Sequence, residues 1–69
     1  MEYRFRNLPC RTEDGKARTW YVAGKMRLPN GVGSGILEWC DSEYDANLRM
    51  AMMNRDYQFC DLFVGEVKS

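Results

Sequence analysis

The sequence predicts a two-layer α+β domain, a small antiparallel or mixed four-stranded sheet with one helix packed on one face. Three observations predict it. Four segments carry strand-type alternation or aromatic and β-branched enrichment. One segment near the middle, DANLRMAMMNRDY, has helical spacing. Turn-forming Asp14-Gly15 and Asn30-Gly31 punctuate the first half. The order is β-β-β-α-β, and at 69 residues the chain forms a single compact domain, 1–69.

Residues 2–8, EYRFRNL, alternate. Tyr3 and Phe5 point one way and Arg4 and Arg6 the other, which is the pattern of a half-buried strand. Pro9 ends it, because proline donates nothing to a ladder. Residues 11–17 are polar and turn at Asp14-Gly15. A second strand covers 18–27, with Trp20, Val22 and Met26 on one face and Thr19, Tyr21, Lys25 and Arg27 on the other. The stretch 28–35, LPNGVGSG, reads as a turn. A third strand covers 35–40. Its two faces are both partly apolar, which suits a central position. The fourth covers 59–67, with Phe59, Phe63 and Val67 on one face and Cys60, Leu62 and Val64 on the other.

The helix is expected over about residues 43–56. Ser42 followed by Asp45 three residues later is a capping-box signature, and Glu43 suits the positive end of the helix dipole. At ~100° per residue the helix shows two apolar stripes. Tyr44, Leu48, Ala51 and Met52 form one. Ala46, Met50, Met53 and Tyr57 form the other, nearly opposite. Asp45, Arg49 and Asp56 separate them on one side, Asn47 and Asn54 on the other. A surface helix ordinarily carries one stripe. The second stripe, which contains no charge, is expected to meet a protein partner, since methionine adapts to irregular surfaces and exposed apolar patches mark interfaces; the alternative is that the 8–17 loop folds over it and both stripes are core.

Composition narrows the function classes. Hydrophobic residues make up 45% and charged residues 29%, as in a folded globular chain. No apolar run approaches the ~18 residues of a membrane span, and MEYRFRNLPC is no signal peptide, so a cytoplasmic location is expected. The three cysteines, Cys10, Cys40 and Cys60, have neither disulfide-scaffold nor zinc spacing. They are expected to be reduced, at least two of them buried. A single Cys10–Cys40 or Cys40–Cys60 bridge is the alternative. There is no histidine, which rules out Ser-His and Cys-His nucleophile pairs. Asp41, Glu43 and Asp45 are explained by capping, and Cys40 before the helix by burial in a strand. Gly31, Gly33 and Gly35 lead into a strand without a lysine, so they do not make a phosphate loop. No enzyme activity, no metal and no cofactor is expected.

Charge is unevenly spread. Residues 1–37 carry seven basic side chains against three acidic, and residues 38–69 carry three against seven, so the halves stand at +4 and −4. Arg4, Arg6, Tyr21, Lys25 and Arg27 are expected to share a basic sheet face. Such a face could hold phosphates and stack a base, or meet an acidic partner, although the pI is only about 6.2.

In size and layout the chain resembles small phage-encoded anti-defence proteins such as anti-CRISPR proteins. The helix stretch ANLRMAMMNRDY and the basic strand RTWYVAGKMR are the parts that would do the binding. The resemblance implies a non-catalytic inhibitor or adaptor that occludes a surface of a host defence protein or complex. No family motif maps to a position here. Two alternatives stand beside it: a small nucleic-acid-binding regulator using the basic sheet face, and a homodimeric interaction module.

Overall fold

The computed structural model of the chain describes residues 3–67, and within them the elements are β1 (Trp20–Leu28), β2 (Gly31–Cys40), α1 (Glu43–Met53) and β3 (Phe59–Glu66). The α+β class holds, with three strands rather than four. The sheet is antiparallel in the order β2-β1-β3, so β1 is central and β2, expected at the centre, lies at an edge. β1 and β2 form a hairpin across Pro29-Asn30, in register Leu28↔Gly31 through Trp20↔Cys40. The glycine-rich stretch expected as a turn is therefore strand. Only two residues turn, because proline presets φ for a tight reversal.

The expected first strand is no strand. Residues 3–9 run as an irregular arm, yet its alternation is real: Tyr3 is buried, Phe5 packs on the core, and Arg4 and Arg6 are exposed. The arm is held by side chains rather than by a ladder. Tyr3 N–H donates to Asp56 Oδ2 at 2.7 Å, and Arg6 N–H to Glu38 Oε2 at 3.2 Å. Rings of Tyr3, Phe5 and Phe59 meet edge to face with centroids 5.3–5.7 Å apart, which anchors the arm over the core.

Two bulges set which residues face the core. Val22 pairs with Glu38 and Ala23 with Ile36, so Leu37 is the extra residue in β2. On the other side Ala23 pairs with Phe63 and Lys25 with Cys60, so β3 also carries one residue too many, next to Asp61 at φ 53°. Past a bulge the alternation changes parity. Phe59 on one side of it is buried, while Phe63 on the other is exposed, and Leu62 and Val64 pack on the core instead. The expected grouping of Phe59 with Phe63 is corrected by this bulge. Gly24 makes it possible: a Cβ there would lie 2.9 Å from the Asp61 carbonyl oxygen and Leu62 Cα.

The core consists of Tyr3, Val22, Cys40, Ala46, Met53 and Phe59, roofed by α1. α1 starts as read from the sequence. Ser42 Oγ accepts from Asp45 N–H at 3.0 Å, and the Asp45 carboxylate accepts from Asp41 N–H at 3.1 Å. It ends three residues earlier than expected. Asp56 leaves the helix to accept from the N–H groups of Tyr3 and Gln58, and the chain turns to deliver Phe59 to the core. All three cysteines are free: Cys10 exposed, Cys40 buried and Cys60 half-buried, so one rather than two is fully buried.

Candidate protein-binding surface

Burial decides between the two stripes of α1. Ala46 and Met53 are fully buried and Met50 is half-buried against the core. These were the residues expected to dock a partner, and the correction is plain: they are occupied by the sheet. Tyr57 lies beyond the helix and is exposed, with the Arg27 guanidinium 4.5 Å over its ring. The other stripe faces outward. Tyr44 is 79% exposed, Leu48 48% and Met52 44%, one below another at i, i+4 and i+8.

The polar residues between the stripes explain the choice. Glu38 on β2 is buried beneath α1, and Arg49 reaches it with Nε to Oε1 at 2.7 Å. The Tyr3 hydroxyl donates to the same oxygen at 2.6 Å. Arg49 Nη2 also donates to the Arg4 carbonyl at 3.0 Å, and its guanidinium lies 4.8 Å over the Tyr3 ring. Beside it Arg6 grips Asp45 with two nitrogens, at 2.8 and 3.3 Å. Asp45 and Arg49 flank Ala46, Met50 and Met53 on one side, so satisfying them turns that stripe inward. Burial alone raises the Glu38 carboxyl, but the hydrogen bonds from Arg49, Tyr3 and the Arg6 N–H outweigh it and hold the group below its usual range. Burial and the nearby Glu38 raise the Tyr3 phenol. Burial, with the Asp45 and Glu38 charges nearby, pushes the Cys40 thiol up to about 11, so it is an inert core thiol and not an activated one.

The expected basic sheet face is assembled only in part: Tyr21, Lys25 and Arg27 share the face of β1 away from α1, and Arg4 and Arg6 do not join them. Arg4 and Arg6 lie on the arm, and Arg6 is spent on Asp45. Lys25 pairs with Asp61 at 3.3 Å. Arg27 donates to the Tyr57 carbonyl and covers the Tyr57 ring. On the face away from α1 the Tyr21 ring meets Trp39 edge to face at 5.8 Å and presses on Gly65. That face is mostly apolar: Ile36 and Phe63 are exposed on it, around an open concavity lined by Ala23, Gly24, Lys25, Ser34, Gly35, Asp61 and Phe63. Sequence reasoning missed it because both bulges were invisible; the exposed Ile36 and Phe63 stand across Ala23 only in the bulged register.

Among the described residues no group of three or more Cys, Asp or Glu side chains is arranged to hold a metal ion, and no helix is long and apolar enough to cross a membrane. Comparison with protein-family models, curated proteins and solved structures gives no match.

Proposed function

We propose that this chain is a non-catalytic protein-binding module that lays the Tyr44, Leu48 and Met52 face of α1 into an apolar groove of a protein partner and acts by occupying that surface. One observation carries the reading: the helix presents two apolar stripes, the core uses one, and the other stands in water. Anchors at i, i+4 and i+8 suit a helix-in-groove contact, and Tyr44 offers a ring with a polar tip. An inhibitor of a host defence complex is the specific form implied by the resemblance in size and layout. A cytoplasmic site of action goes with it and is supported by three unpaired thiols. Nucleic-acid binding is the weaker alternative, since three of the five residues proposed for it are engaged within the fold.

The test is capture of partners from the natural source on immobilised chain, comparing the parent with Leu48→Glu and with Ser34→Glu on the opposite side of the sheet. A stoichiometric protein retained by the parent and by Ser34→Glu but lost with Leu48→Glu supports the reading. Capture indifferent to Leu48→Glu, or recovery of nucleic acid alone, overturns it.

A further inference from the structure

Among the described residues the outer edge of β2 is open. Between Gly31 and Leu37 the described residues give that edge no backbone partner other than β1 on its inner side. The arm reaches only the far end, where Asn7 and Leu8 lie by Ile36–Trp39. Sheet edges are ordinarily blunted by charge, proline or a bulge. β3 has its bulge beside Asp61 and β2 has one at Leu37, but the stretch Gly31–Ile36 before it holds neither charge nor proline in a chain that is 29% charged. Val32 is 61% and Ile36 47% exposed, and with Ser34 they stand at alternate positions on the face away from α1.

We propose that this edge pairs with the same edge of a second copy of the chain, antiparallel about a twofold axis at Ser34, joining two sheets into one of six strands. The sequence V-G-S-G-I is close to palindromic about Ser34. In that register Val32 of one copy faces Ile36 of the other, glycine faces glycine, and Ser34 faces Ser34. An isologous contact needs such self-complementarity. Two β-branched side chains directly opposite make a favourable cross-strand pair. No like charges meet, which favours a second copy over a charged peptide. Pairing would also extend the apolar outer face of Ala23, Ile36 and Phe63 across the axis. The inference is independent of the helix-face reading, because α1 lies on the other side of the sheet and both copies would keep theirs free.

The experiment is sedimentation equilibrium from low micromolar to submillimolar concentration, with backbone hydrogen exchange. The parent is expected to dimerise reversibly, with slowed exchange confined to residues 32–36. Ser34→Glu and Ser34→Lys, each placing like charges opposite one another at the axis, are expected to weaken dimerisation by about tenfold. Mixing the two variants should restore it as a heterodimer. A parent that stays monomeric throughout overturns the proposal. So does a dimerisation constant unchanged by both substitutions, or a mixture that associates no more tightly than either variant alone. Circular dichroism of each variant, at an exposed position, establishes that the fold is intact.

Discussion

Two stripes on one helix meet different fates. Ala46, Met50 and Met53 are inside, while Tyr44, Leu48 and Met52 are outside. Their hydrophobicity does not explain this: the exposed stripe contains a leucine, a methionine and a tyrosine, the buried one an alanine and two methionines. The difference lies in neighbours. Asp45 and Arg49 border the buried stripe and have fixed partners in Arg6 and Glu38. Asn47 only bonds back to the Glu43 carbonyl of its own helix. When two stripes compete for a core, the polar groups that must be satisfied on the way in decide the rotation.

The largest way to break this comparison is Met53→Glu. A carboxylate placed where Met53 is fully buried has no partner, and its cost of about 4 kcal/mol approaches the whole stability expected of 69 residues. Urea melts followed by far-ultraviolet dichroism should show no cooperative transition. If the variant unfolds like the parent, the buried stripe is misassigned.

Next comes the polar pin. Glu38→Gln leaves Arg49 without its counter-charge and weakens the Tyr3 contact, so a loss of about 3 kcal/mol is expected in the same melts. An unchanged midpoint would mean that packing alone sets the helix rotation.

Acid titration tests the same pin without mutation. Glu38 and Asp45 are both held below their usual values. For Asp45 burial works against this, and the Arg6 pair and the Asp41 N–H outweigh it. Groups with lowered folded values stabilise fully above their unfolded values of about 4, and that contribution is lost as pH falls through the folded ones. Stability should therefore be level from neutrality to about pH 5 and decline below about pH 4. A loss that begins near neutrality would contradict the assignment.

The smallest effect sharpens the comparison from the other side. Leu48→Glu, on the exposed stripe, should shift stability by no more than about 0.5 kcal/mol. A cost as large as that of Met53→Glu would mean that the outer stripe is also core.

Much of this was legible in the chain. Ser42 and Asp45 mark the start of α1, the inward alternation of Tyr3 and Phe5 is visible, and so are Trp20, Val22 and Met26 on one face of β1. The sheet edge was not, because low strand propensity in GVGSG masks a segment whose partner is a long, well-paired β1. Nor were the bulges, since each depends on how two strands meet and leaves no local trace. Which stripe is buried was not legible either, for the same reason. Periodicity shows that two stripes exist, and only the long-range contact of Arg49 with Glu38 chooses between them.

The arm has a consequence for the order of events in folding. Tyr3 precedes by 53 residues the carboxylate that receives its N–H, and its ring packs on Phe59, later still. Such long loops are closed late and slowly, after local hairpins and helices. A ribosome makes the arm before its seat. Until Asp56 and Phe59 have emerged, the aromatic rings of Tyr3 and Phe5 have no core to enter, and the nascent hairpin of β1 and β2 carries its own buried residues uncovered. The segment that closes the molecule is thus the one that waits longest, and refolding by dilution from urea, where all parts are present at once, should be quicker than completion of the same fold behind a stalled polymerising chain.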